Sequence, residues 1–237
     1  MAYLDRMVKQ KFNIILVVDT SKSMGGKRIQ QVNNAICDIS KYLKELQVEN
    51  TNVDFYLSIL KFGTDANWHT EQIENYIDDF KFEEIKTKGQ SNLGRAYEEL
   101  NKVMLKESQG GIMPDFGGVA PIVILLTDGH PSDKYQQELE LLKKKPWFKA
   151  ALKYGIAIEL NDLRTMKVLK EFVDGNGDVI EVYNPKLLEQ IIKIIVLTVS
   201  KVKSKTMSSN IASTTNVVID VKQTIAEALN DIEEWEW

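Results

Sequence analysis

Two kinds of apolar pattern alternate along this chain. Residues 14–18 (Ile14-Ile15-Leu16-Val17-Val18) and 121–127 are continuous apolar runs, each closing on an Asp-containing turn. Short runs of this kind predict strands buried on both faces, as in a parallel sheet. Residues 53–62 alternate apolar and polar side chains, which predicts a strand with one exposed face. Shorter strands are expected at 155–160 and 179–182. Between the strands, Ile29, Val32, Ile36, Ile39 and Leu43 recur at helical spacing across 28–46. Leu93, Ala96, Leu100 and Val103 do the same across 92–106. Further helices are expected over 135–142, 163–172 and 185–201, the last with Pro185 in its first turn, where no N–H is needed. Strands alternating with helices predict an α/β fold, doubly wound around a mostly parallel central sheet.

Breaks in the pattern mark loops. Residues 108–120 are Gly-rich and contain Pro114, so a mobile loop is expected; no Lys-Ser/Thr follows, which argues against a phosphate cradle. Asp174-Gly175-Asn176-Gly177-Asp178 opens like a calcium loop, but Pro185 stands where the bidentate Glu would be. A turn leading into a strand is the expectation. Near Lys205 the composition turns Ser/Thr/Asn-rich, which divides the chain into a domain at 9–205 and a linker with an acidic tail at 206–237.

Charge sharpens that division. The net charge is -4, yet residues 206–237 alone carry one Lys against six acids, so the remainder is close to neutral. No basic field for nucleic acid is present. Residues 1–10 lack a signal-type apolar core, and 191–199, the most apolar stretch, is too short to span a bilayer and is interrupted by Lys193. A cytoplasmic protein without membrane attachment is expected. The single cysteine, Cys37, allows no internal disulfide and sits among Val32, Ile36 and Ile39, the setting of a buried structural thiol.

The chemistry concentrates where strands end. Asp19-Thr20-Ser21-Lys22-Ser23 follows the first strand, Gly89-Gln90-Ser91-Asn92 enters a helix, and Thr127-Asp128-Gly129-His130-Pro131-Ser132-Asp133 follows the 121–127 strand. Ligand sites in open parallel sheets lie beyond the carboxyl ends of strands. One carboxylate and two hydroxyls at alternate positions are hard oxygen donors, suited to Mg²⁺ or Mn²⁺; zinc would favour His or Cys. A plain strand-ending turn with serines capping helices is the competing reading of the same residues. His130 and His69 read as an exposed loop residue and a structural or solvent-facing one, and Lys22 as solvated. Asp133 either holds its turn or adds charge near the site.

Taken together, the three segments resemble the von Willebrand factor A domain family and its metal-ion-dependent adhesion site, over roughly residues 12–201. The T-D-G-x-P-x-D turn is most similar to bacterial intracellular members of the tellurite-resistance TerY-like group. The resemblance implies that Ser21 and Ser23 supply hydroxyl ligands and that Asp19 and Asp128 anchor the ion directly or through water. It places Ser91 where the family has Thr, which keeps the hydroxyl and gives up β-branched stiffness. Neutral hydroxyls leave a divalent ion electrophilic, so the implied function is docking of a partner's Asp or Glu. Stress-response or phosphorylation-signalling assemblies, with kinase or phosphatase partners, would be the TerY-type setting.

Two other functions compete. A haloacid-dehalogenase-type phosphatase would need a second Asp two residues after Asp19, where this chain has Ser21. The domain type also serves as the substrate-recruiting subunit of ATP-driven chaperone or chelatase complexes; this chain has no Walker A motif, so the ATPase would be a separate partner. No catalytic residue is assigned, and a non-enzymatic role is expected. In the tail, Val218, Val221, Ile225, Ala228, Ile232 and Trp235 form a narrow helical seam. It is expected to pack on its own domain, dock a partner or self-associate. Its closing acids and tryptophans are also a candidate occupant of the metal rim.

Overall fold

A computed structural model describes residues 9–50, 52–116, 118–159, 162–183, 187–188, 190–195, 223 and 227. The 205/206 boundary and the tail seam lie outside the described residues. Strands β1 (Gln10–Asp19), β2 (Val53–Phe62), β5 (Ile122–Thr127), β6 (Leu152–Ile158) and β7 (Gly177–Val182) run parallel, in the order β2-β1-β5-β6-β7. Two short strands, β3 (Ala66–Trp68) and β4 (Asn75–Tyr76), add antiparallel to the outer edge of β2. The sequence reading had no strand there. Three- and two-residue pairings leave too few alternations for a pattern to register, and it is the β2 edge that holds them.

Helices cover both faces. Phe12, Ile14, Leu16 and Val18 of β1 pack on one side with α1 (Lys27–Glu49) and with Leu188, Ile191, Ile192 and Ile195. Ile15 and Val17 point to the other side, where α2 (Leu93–Val103), α3 (Gln136–Lys143) and α5 (Leu163–Val173) bury Tyr97, Leu139 and Phe172. Alternate side chains of one strand thus feed two cores, which is why the run 14–18 is apolar throughout. The doubly wound α/β expectation holds. A short α4 (Pro146–Ala150) escaped the sequence reading; Pro146 starts it, Phe148 is buried and Trp147 packs partly buried beside it.

Three local expectations are refined. Asp174 (φ 53°) and Gly175 (φ 75°) end α5 in left-handed conformation, so Asp174–Asp178 is a turn into β7 as expected. Cys37 is half-buried, because it sits at the margin of the α1 face whose centre is Val32 and Ile36. Within the 108–120 loop, residues 108–115 are tied down: Ser108 bonds Asp115 through backbone and hydroxyl, Met113 is fully buried and Ile112 N–H donates to Val103 O. Phe116 of that loop is 92% exposed.

Lys153 is 2% exposed within β6, donating from Nζ to the carbonyls of Phe148 (3.1 Å) and Ala151 (3.2 Å). Burial is the main cause that lowers its pKa from 10.5 to about 8. Between those values the unfolded chain holds a proton that the folded one has shed, so folding stability rises with pH across that window. Urea melts of wild type against Lys153→Met should show the wild type gaining about 1–3 kcal/mol relative to the variant from pH 8 to 10.5.

Candidate metal centre

From β1 the chain crosses to β2 on one side, and β5 is followed by β6 on the other, so strand order reverses between β1 and β5. Crevices at such a reversal are where α/β sheets bind ligands. Asp19 is the last residue of β1, and Asp128 is the first after β5. The two carboxylates therefore flank the crevice.

Asp19 is fully buried, and its bonding partners are neutral. Oδ1 accepts from the Ser21 N–H (2.8 Å); Oδ2 accepts from Ser91 Oγ (2.9 Å) and Thr127 Oγ1 (2.7 Å). Burial raises its pKa, against the opposing pull of the bonds from Thr127, Ser21 and Ser91. Ser23 Oγ donates to Asp128 Oδ1 (2.8 Å) and lies 3.0 Å from Ser21 Oγ. Asp19, Ser21, Ser23, Ser91 and Asp128 are thus brought together. Ser91 does not cap α2: the cap position is Asn92, whose side chain donates to Thr64 O (2.8 Å) rather than capping the helix, and the Ser91 hydroxyl is committed to Asp19.

The loops are braced against one another by backbone. Thr20 N–H donates to Phe62 O (2.7 Å), Lys88 N–H to Thr20 O (2.6 Å), Asn92 N–H to Gly63 O (2.9 Å) and Ser132 N–H to Ser91 O (2.7 Å). Asp133, left open between two roles by its sequence, accepts the Gly94 N–H (2.9 Å) and so satisfies a free donor at the start of α2. His130 is exposed near Asp162, at 3.5 Å. His69 stacks on Phe82 and accepts the Glu83 N–H, a structural placement; Lys22 is exposed.

Thr127 and Arg28 were absent from the expected site. Thr127 could have been taken from the T-D-G turn itself. Arg28 had no sequence signal: it is the second residue of α1, and its role depends on Asp128, a hundred positions away. Its Nη1 donates to Asp128 Oδ2 (2.8 Å) and to Ser23 O (2.9 Å), and Nε to Glu159 (2.9 Å). The Asp128 side chain is 2% exposed, so the guanidinium compensates a buried charge. Arg28→Ala should destabilise the metal-free domain by about 1–3 kcal/mol and enlarge the rise in melting temperature caused by Mg²⁺ or Mn²⁺, measured by differential scanning fluorimetry.

The donor set fits a hard divalent cation. Asp19 carries a buried charge whose hydrogen-bond partners are neutral, and the Ser23 hydroxyl, beside that of Ser21, bonds the second carboxylate. Among the described residues no cluster of three or more His, Cys, Asp or Glu could hold a metal. Serine hydroxyls and aspartates, not imidazole or thiolate, are what the crevice offers.

The family model for the von Willebrand factor type A domain matches residues 13–234. This chain belongs to that family. It is 28% identical over 146 residues to inter-alpha-trypsin inhibitor heavy chain H1 of Sus scrofa; the match takes in 58% of this chain and 15% of the relative's length. The chain thus corresponds to a small part of that relative. Among solved structures it resembles the ArnB paralog VWA2 of Sulfolobus acidocaldarius, with TM-score 0.53, 21% identity and coverage of 78% of this chain and 44% of the other. It also resembles proximal thread matrix protein 1 of the mussel byssus, in a form with a zinc-occupied MIDAS motif, with TM-score 0.57, 18% identity and coverage of 81% and 48%. Both likenesses show the shared fold: a mostly parallel sheet between helices.

Proposed function

We propose that this domain is a metal-dependent protein-interaction module that docks an Asp or Glu of a partner protein. The observation that carries it is the pair of carboxylates at the sheet reversal, buttressed by hydroxyls. Ser21, Ser23 and Asp128 would hold a divalent cation, with Asp19 and Ser91 behind them. Bound there, the cation would supply an electrophilic point for an outside carboxylate. The chain's own part is to present neutral hydroxyls, keep Asp19 dry behind them and hold Asp128 through Arg28. Mg²⁺ or Mn²⁺ is the proposed ion, from the hardness of the donors; a neighbour of this fold holds zinc, so Zn²⁺ belongs in the same titration.

A non-enzymatic role is part of the proposal. Two features support that part of the reading: Asp19 bonds hydroxyls and an amide, and Ser21 occupies the place of a phosphatase's second Asp. A TerY-type stress or phosphorylation-signalling assembly is the finer form of this reading. Recruitment of substrates to a separate ATPase is its alternative. We place the protein in the cytoplasm; among the described residues no helix is long and apolar enough to cross a membrane. The decisive experiment is affinity capture from native lysate with Mg²⁺ or EDTA, wild type against Asp19→Ala. Capture lost with EDTA and with the variant supports docking through the metal. Capture indifferent to both would leave a scaffold without a working metal site.

A further inference from the structure

A cleft of about 290 Å³ opens against Thr20, the residue between Asp19 and Ser21 of the metal loop. Lys61, from the end of β2, and Lys86 and Lys88, from the segment before Ser91, line it together with Thr64 and Asp65. Lys86 and Lys88 are exposed and Lys61 is half-buried. Lys41 and Lys102, by contrast, sit in ion pairs on their own helices, with Asp38 and Glu99. None of the three cleft lysines pairs with a described residue. Three like charges against one Asp, held around one concavity, leave a positive field beside the site. Such a field draws and orients anions.

The anion this cleft suits is a carboxylate rather than a phosphate. Phosphate cradles rely on free backbone N–H groups. Three amides at or beside this cleft are committed elsewhere: Gly63 N–H to Asp65 O (2.9 Å), Lys88 N–H to Thr20 O (2.6 Å) and Gln90 N–H to Thr64 Oγ1 (3.3 Å). The charge of the cleft is carried by three ammonium groups on flexible stems, which act as separate point charges. Separate point charges match acids spaced along a peptide.

We propose that the lysine cleft is a second contact of the docking site, receiving further acidic residues that flank the partner's docking Asp or Glu. This rests on the carboxylate-docking reading above. The partner segment is then an acidic stretch, with additional carboxylates within roughly four residues of the docking one, the reach of a short extended peptide. The metal loop selects one acid, and the cleft selects an acidic neighbourhood.

Fluorescence anisotropy with three labelled peptides of equal length tests this. One carries a single Asp in a Gly/Ser background, one carries that Asp flanked by Glu, and one carries it flanked by phosphoserine. Each is titrated with wild type, with the double variant Lys86→Gln/Lys88→Gln and with Ser23→Ala, in Mn²⁺ and in EDTA. The Glu-flanked probe should bind wild type roughly tenfold tighter than the single-Asp probe, and the ratio should shrink with salt. The lysine variant should bring the ratio near one while its Mn²⁺-induced rise in melting temperature stays at the wild-type value. A ratio that survives the lysine variant, or no difference between the two carboxylate probes, overturns the proposal. So does a wild-type preference for the phosphoserine probe over the Glu probe, which would make the cleft a phosphate site. The docking reading fails separately, if binding of the single-Asp probe is the same in Mn²⁺, in EDTA and with Ser23→Ala. Glu-dependent binding that the lysine variant removes in EDTA as well as Mn²⁺ would mark a basic cleft independent of the metal loop, and overturn the coupling proposed here.

Discussion

Asp19→Asn should make the metal-free domain more stable and abolish its response to divalent cations. Asp19 is fully buried at the end of β1, and its contacts are with Ser21, Ser91 and Thr127, none of them charged. An isolated buried charge is unfavourable, and its raised pKa has the same origin. Asn keeps the shape and one carbonyl acceptor, and its amide can donate to hydroxyls that rotate to accept. A gain of about 1 kcal/mol in metal-free denaturation is expected, the usual size of a stability gain won by relieving a functional site. The wild type should recover more than that on adding metal: at a hundred times Kd, binding to the folded state alone adds about 2.7 kcal/mol. Chemical denaturation of both proteins with and without Mg²⁺ or Mn²⁺ checks both halves. A variant that melts lower than wild type without metal, or that still responds to metal, contradicts the assignment of Asp19.

The second large effect is expected at a residue with no functional group. Gly63 follows β2 where the Asp19 loop meets the segment leading to Ser91, and a Cβ there would lie 2.5 Å from the Lys88 carbonyl oxygen and 3.2 Å from Thr20 Oγ1. The Lys88 oxygen is backbone, so relief requires moving the segment that leads to Ser91. Gly63 O also receives the Asn92 N–H that aligns the start of α2. Gly63→Ala should therefore cost about 2–3 kcal/mol of stability, the scale of overpacking at a tight site. It should also weaken metal-linked stabilisation, because Ser91 and Thr20 shift relative to Asp19. Urea denaturation, with and without Mn²⁺, measures the two effects. A stability loss with an undiminished metal response would show that the loops move as a unit.

The five oxygen donors were legible because each lies in a short motif beside a strong local signal. The run 14–18 announces the strand that ends at Asp19, and the apolar run through Leu126 announces the one that delivers Asp128. Ser91 was legible as a hydroxyl, but only the family resemblance gave it a place in the site, since a serine ahead of a helix looks like a cap whether or not it caps. Its bond to Asp19 spans 72 positions, and no local pattern encodes that distance. Thr127, bonded to Asp19 across 108 positions, and Arg28, paired with Asp128 across 100, share the difficulty. Asp133 had two readings until the start of α2 was placed against its turn.

By itself the sequence determined the alternation of buried strands and amphipathic helices, and with it the doubly wound sheet. It also determined the hard-oxygen character of the loops at the strand ends. Both follow from periodicity and residue chemistry within a few positions of the chain. Only the tertiary structure decided that Asp19 is buried among neutral donors and that Arg28 balances Asp128. It alone brought Lys61, Lys86 and Lys88 to one cleft beside the metal loop. Burial and charge pairing are properties of where distant segments meet, and those meetings are set by the packing of the whole sheet.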